Sequence, residues 1–247
     1  MHIKILPPQS HKRIRNYVLL CYNPDMSTSN QKTNFLLASQ SPRRSELLNL
    51  IGKPFDVEPA NIDENVIKDE EPYPYAKRLA LSKALKVARN SRSDSVVIGA
   101  DTIVVHNNNI VGKPASKKEA RQILMNLRGH THQVVTAIAI HYRKLGNTIQ
   151  DLCETSVQMR NMTEEEITDY ISTGDPHDKA GAYAIQNVVY KPATTLGGCL
   201  ANVIGLPLCH ITKALREKNI HVDKDIAQKC QDHIGYDCPV YKSILEN

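Results

Sequence analysis

Five short segments carry residue types that could do chemistry. Ser39-Gln40-Ser41-Pro42-Arg43-Arg44 joins two hydroxyls to two guanidiniums where an apolar run gives way to a helical pattern. Helix N-terminal N–H groups favour anions, and arginine forks match phosphate oxygens. The segment suits a phosphate site, and equally a plain capped helix with two surface arginines. Gly99-Ala100-Asp101-Thr102 sets an acid among apolar strand residues, where it is costly to bury unpaired. At a strand end facing a cleft such an acid could hold a divalent metal or orient a water; in a turn it would bond nearby N–H groups. Glu64, within Asp63-Glu64-Asn65, reads as a solvated loop acid or as a partner to that acid. Lys113 precedes Pro114, which favours extended backbone and lets the ammonium point along a groove. The run from Gly174 to Gln186 combines small residues for close backbone approach, the Asp178-Lys179 charge pair and a terminal amide suited to the edge of a pyrimidine base. An ordinary loop entering a strand is the plainer account of it.

The elements that must position these residues follow from periodicity and punctuation. Phe35-Leu36-Leu37-Ala38 suits a buried strand, Ser41 a helix N-cap and Pro42 the first helical position, with Gly52 as the stop. A second helix is predicted from about Pro74 to Arg89, with Ala76, Leu79, Ala80, Ala84 and Val87 on one face. Strands at 96–98 and 102–105 flank Gly99-Ala100-Asp101, and an Asn107–Asn109 turn leads into a return strand at Ile110-Val111. Ser116 with Glu119 and Thr163 with Glu166 form capping boxes for helices closing near Gly129 and Gly174. A long hairpin, 133–142 with 149–159, turns at Gly146-Asn147; a final strand is expected at Asn202-Val203-Ile204, then a helix through Leu208, Ile211 and Leu215. Alternating strands and helices make the class α/β, a mixed twisted sheet with flanking helices. Residues 1–32 read as a disordered tail, 33–218 as the folded domain and 219–247 as a polar C-terminal extension.

Composition narrows the function. The 247 residues are 41% hydrophobic, enough for a sizeable core, and contain no Trp and two Phe. That argues against a single-strand nucleic-acid binder built on aromatic stacking. Of the +5 net charge, more than half sits in residues 1–30, which hold Lys4, Lys12, Arg13 and Arg15 against Asp25. The remaining body does not read as a DNA-coating surface. No apolar run nears the ~20 residues that span a bilayer, so no membrane segment is expected. Tyr17–Tyr22 is too short for a signal core, although the first 20 residues lack acids and leave an organelle address open. Six cysteines without a CxxC pair read as reduced thiols of a cytoplasmic protein; Cys230, His233 and Cys238 could supply zinc ligands, with no evident fourth. P-loop, GxGxxG, GxSxG and HExxH patterns are absent. His132 reads as structural or as a hydrogen-bonding cleft residue.

In order along the chain, Leu37 to Arg44, Arg78-Leu79-Ala80 with Lys83-Ala84, Gly99 to Thr102, Lys113-Pro114, Leu127-Arg128-Gly129 with His132, Val134 and Thr136, Asp178 to Gln186, and Asn202 to Leu208 resemble the Maf family of nucleoside triphosphate pyrophosphatases. The resemblance covers about residues 34–216. It implies two lobes around a deep cleft, commonly a homodimer, a divalent metal (Mg or Mn), and cleavage of a nucleoside triphosphate to monophosphate and pyrophosphate. Tyr183-Ala184-Ile185-Gln186 resembles the branch that prefers dTTP, UTP and modified pyrimidine nucleotides. By resemblance Asp101 is the general base, and Glu64 holds the metal with Asp101 or orients the water. Arg44, Lys83 and Lys113 neutralise the triphosphate, and Ser39 donates to a phosphate oxygen. Arg43, Thr102 and Gln186 bear on substrate choice, and Lys179 with Asp178 fixes the loop beneath the site. Two departures, Asn187 after the Gln and Cys199 after Gly198, fall on the base pocket. A nucleotide-binding regulator linked to cell division, with little turnover, is the alternative the same resemblance allows.

Overall fold

The computed structural model describes residues 34–246; the expected tail, 1–32, lies outside them. Strand β1 (Asn34–Leu37) leads through a tight turn into helix α1 (Pro42–Asn49). Ser41 is the N-cap and Pro42 the first helical residue, yet the Ser41 hydroxyl makes no capping bond. The turn is instead held by Ser39, whose Oγ accepts from Ser41 N at 3.1 Å. There follow β2 (Phe55–Val57), α2 (Pro72–Asn90), β3 (Ser95–His106), β4 (Asn109–Val111), α3 (Lys117–Leu127) and β5 (Thr131–Tyr142). Next come β6 (Asn147–Met159), α4 (Glu164–Ser172), β7 (Ala193–Gly197), α5 (Leu200–Ile204), α6 (Leu208–Arg216), α7 (Ile226–Ile234) and α8 (Tyr241–Leu245). The Thr163–Glu166 box forms in full, with reciprocal bonds at 3.2 and 2.8 Å; at the other start Ser116 Oγ accepts from Glu119 N at 3.2 Å, but Glu119 Oε2 accepts from Ala115 N rather than Ser116 N, so half of that box forms.

Seven strands make one mixed sheet, ordered β2-β1-β3-β5-β6-β7 with β4 on β3. The β1 pairings are parallel; the remainder are antiparallel. Two expectations are corrected. The segments expected as separate strands around Gly99-Ala100-Asp101 are one strand of 12 residues, β3, paired without a break to β5. Gly99 serves packing rather than a break: a Cβ there would lie 2.3 Å from Ala80 O and 2.8 Å from Ala84 N, so its absence lets α2 lie against the sheet. Asn202-Val203-Ile204, expected as a strand, belongs to α5. Asn202 is fully buried and donates to Val134 O and Thr155 Oγ1, both at 2.9 Å; this anchoring overrides the β-preference of Val203 and Ile204.

The sheet is covered on both faces. Val97, Ile103 and Val135 meet Leu79, Ala84 and Val87 of α2. On the opposite face Ile98, Ala100 and Ile138 pack with Leu47 of α1 and Ile211 of α6. A third cluster joins Val104 and Val157 to Leu124 of α3 and Ile167 of α4. The C-terminal extension is folded: Val222, Ile226 and Cys230 are buried in the same cluster as α1 and α6. Cys230 is a core thiol that burial raises to about 11. No group of three His, Cys, Asp or Glu among the described residues could hold a metal ion, so Cys230, His233 and Cys238 do not form the zinc set considered above. No helix among them is long and apolar enough to cross a membrane.

Candidate active site

The cleft arises where the sheet is incomplete. β1 pairs with β3 only as far as Leu37 opposite Ile98, then turns away; β4 joins β3 from Val104 onward. Between them, residues 99–103 of β3 have β5 as their strand neighbour. A cavity of about 820 Å³ opens there, at the carboxyl end of parallel β1, a position where open α/β sheets place ligands. Ser39, Arg43, Arg44, Glu64 and Lys83 all line it, as do Asp101, Thr102, Lys113, Lys179 and Gln186. Residues distant in sequence are therefore brought to one cavity.

Strand alternation divides the carboxylate from its neighbour. Asp101 points to the α2 face of β3 and meets Lys83, whose Nζ lies 2.6 Å from Asp101 Oδ1. The same ammonium lies 2.7 Å from Glu64 Oε1. Lys83 and Asp101 are 8% and 7% exposed, so the pair is almost wholly withdrawn from water. Glu64, on the exposed loop before α2, keeps a side chain 49% open. Partial burial pushes its pKa up; the Lys83 hydrogen bond and the charges of Lys83, Lys113 and Arg44 outweigh that and bring it below its ordinary value. Tyr75 and Arg78, to which the sequence reading gave no role, hold this loop. Tyr75 Oη donates to Glu64 O at 2.8 Å, and Arg78 Nη2 donates to Asn65 O at 3.0 Å while binding Glu70. Burial and the charges of Asp101 and Glu64 push the Tyr75 phenol up to about 12, so it stays a donor. Their signal was positional: both precede Lys83 on α2.

On the other face, Arg44 is fixed by three bonds. Its Nε donates to Gly205 O at 2.9 Å, Nη1 to Ser39 Oγ at 3.3 Å and Nη2 to Thr102 Oγ1 at 3.0 Å. A guanidinium has five N–H groups, so one remains on each terminal nitrogen. Burial lowers the Arg44 pKa, but a guanidinium keeps its charge. Arg43 stands 3.6 Å from Asp178. Lys179 is tied to its own turn, donating to Asp175 O at 2.6 Å and pairing with Asp175 and Asp178.

The segment from Ala180 to Gln186 forms the remaining wall. Tyr183 Oη and His132 Nε2 are 2.7 Å apart, both buried. Burial, then the charge of His106, lowers the His132 pKa to about 4, so the imidazole is neutral near pH 7. Tyr170 Oη donates to Asp175 Oδ2 at 2.7 Å and accepts from Ala184 N at 2.9 Å, fixing the approach to Gln186. Gln186 and Lys113 are exposed, and neither side chain has a hydrogen-bond or ion-pair partner among the described residues.

Asp101 and Glu64 are the carboxylates that would hold the implied divalent ion. Asp101 Oδ2 and Glu64 Oε2 each lack a hydrogen-bond partner among the described residues, while Lys83 takes the other oxygen of each. Among the described residues no third His, Cys, Asp or Glu completes a group with them. This donor set fits an ion of the Mg type, held by one or two carboxylates and otherwise by substrate phosphates and water.

Paired carboxylates, fixed cations and an apolar wall in one cleft of a mixed α/β sheet define a protein shaped for a phosphorylated small molecule. The chain belongs to the Maf family: the family model described as Maf-like protein matches residues 34–218. A dTTP/UTP pyrophosphatase of Geotalea uraniireducens is 44% identical over 185 residues, 75% of this chain and 95% of its own. One from Aquifex aeolicus is 43% identical over 185 residues, 75% and 95% of the two chains. A solved structure, the Ham1 protein of Staphylococcus aureus, is 14% identical with a TM-score of 0.39 over 52% of this chain and 72% of its own.

Proposed function

We propose that this chain is a nucleoside triphosphate pyrophosphatase acting on dTTP and UTP, the substrates named for its relatives, with residues 33–218 as its catalytic domain. The observation that carries the reading is the Asp101–Lys83–Glu64 cluster beside the fixed Arg44 fork within one nucleotide-sized cleft. Water attacks the α-phosphorus, the α–β anhydride bond breaks, and the oxygen of the attacking water stays on the monophosphate. Asp101 accepts the water proton through Oδ2, the oxygen that Lys83 leaves free. Lys83, 2.6 Å from the other oxygen, orients that carboxylate. The two N–H groups left on Arg44, together with Lys113 and Arg43, bind the phosphate oxygens and the charge that grows on the leaving pyrophosphate. Glu64 and Asp101 would hold a divalent ion that neutralises the triphosphate and polarises the attacked phosphoryl group. Val104, Val134, Tyr183 and Ile185 enclose the base, and the unpaired amide of Gln186 reads its edge.

A panel of canonical and modified nucleoside triphosphates, read by pyrophosphate release with Mg²⁺ or Mn²⁺, tests this. dTTP and UTP are expected to lead. Binding of triphosphates with no pyrophosphate released would favour the regulatory alternative.

A further inference from the structure

Thr136 does not line the cleft and is fully buried, yet it stands one bond behind a residue that does. The β3–β5 register sets Thr102 opposite Thr136, and their hydroxyl oxygens are 2.9 Å apart. Distance alone leaves the donor open. Proton counting closes it. Thr136 Oγ1 donates to Asn202 O at 2.9 Å, and a carbonyl can only accept. Thr136 thus has no proton for Thr102, so Thr102 is the donor of the pair. Thr102 Oγ1, its proton spent, accepts from Arg44 Nη2 at 3.0 Å. The direction is fixed throughout: Arg44 to Thr102 to Thr136 to the α5 backbone.

The path closes on itself. Three residues past Asn202, Gly205 O accepts from Arg44 Nε at 2.9 Å. Gly205 has φ +122°, and a Cβ there would come within 3.3 Å of both Arg44 Nε and Thr102 Oγ1. Asn202 is itself anchored to β5 and β6 through Val134 O and Thr155 Oγ1. The guanidinium is held directly by Gly205 O and, through Thr102 and Thr136, indirectly by Asn202 O of the same short segment.

We infer that Thr136 is a positioning residue that sets the Thr102 hydroxyl as an acceptor and so locks the Arg44 fork in the plane that receives phosphate. Thr102 then offers the cleft no proton, and its influence on substrate passes through Arg44. The inference rests on Arg44 as a phosphate ligand, as proposed above.

Two readouts test it. Thr136→Val, which keeps the shape and removes the hydroxyl, should lower kcat/KM about 10- to 100-fold per folded molecule, the scale of a lost buried hydrogen bond. Thr136→Ser should restore activity to within about threefold. In an Arg44→Lys background, where the planar fork is already gone, Thr136→Val should cost under about twofold. Equal losses in both backgrounds would reduce Thr136 to general packing and overturn the inference. The second readout needs no turnover: hydrogen exchange at the Arg44 Nε–H, followed by nitrogen-15 NMR, should be slow in the parent and at least about tenfold faster in Thr136→Val. Unchanged exchange overturns the inference even if pyrophosphate is released; accelerated exchange supports it even if none is. Where the valine variant does not accumulate, Thr136→Ala takes its place in both readouts.

Discussion

The two halves of the cleft differ in how their polar groups are partnered. In the buried half, Lys83 is clamped between Asp101 and Glu64, and Arg44 is held by Ser39, Thr102 and Gly205. In the exposed half, Lys113 and Gln186 have no hydrogen-bond or ion-pair partner among the described residues. Groups of the first kind are oriented before a ligand arrives, so little ordering remains when charge shifts during reaction. Groups of the second kind stay free to adjust, and suit recognition. A change in the buried half should therefore alter turnover or folding, and a change at Gln186 in the exposed half should alter which triphosphate is preferred.

The largest break comes from Asp101→Asn. The amide keeps the shape and Glu64 still partners Lys83, so the fold should hold while kcat falls about 10²–10⁴-fold, measured by pyrophosphate release. Full turnover in that variant would remove Asp101 from the reaction. Gly99→Ala comes next, because its methyl meets the Ala80 carbonyl and Ala84 nitrogen and must push α2 from β3. Chemical denaturation should report a loss of about 1–3 kcal/mol, with activity falling as Lys83 is carried away from Asp101. Gln186→Glu, in the exposed half, should leave that denaturation midpoint in place and shift the ratio of kcat/KM among triphosphates about tenfold. Equal losses for every base would deny Gln186 a base-reading role.

A separate effect, on stability alone, concerns pH. The folded protein holds His132 at about 4, whereas an unfolded histidine titrates near 6.5. As pH falls the unfolded chain takes up the proton first, so this contribution is intact above about pH 6.5 and is lost on the way down to about pH 4. Thermal unfolding of the parent and of His132→Gln should accordingly diverge less at low pH than at pH 7.5. A constant gap between the two curves would show that the imidazole proton plays no part.

Much of this was legible in the sequence where local signals and tertiary demands agree. Ser41-Pro42 marks a helix start through the fixed backbone of proline, and Ser116 and Thr163 through short-range bonds, and the structure forms those helices there. The residues singled out by chemical type converge because β1, β3 and α2 all end or pass at one crevice. What escaped depends on partners far along the chain. Val203 and Ile204 favour a strand locally, but the Asn202 bonds to β5 and β6 make that segment a helix. Gly99 reads as punctuation until the backbone of α2 is placed against it. Thr136 falls within a motif of the family resemblance, but its positioning part is invisible until Thr102 and Asn202 O are set on either side. In the extension, Ile226 and Cys230 stand four apart on a helix, a stripe that polar neighbours obscure.

In the proposed reaction water, activated at Asp101, attacks the α-phosphorus within this cluster. Hydrolysis of dTTP or UTP in oxygen-18 water, with products read by mass spectrometry, locates the bond that forms. One labelled oxygen is expected in the nucleoside monophosphate and none in the pyrophosphate. Label in pyrophosphate or in orthophosphate would contradict it.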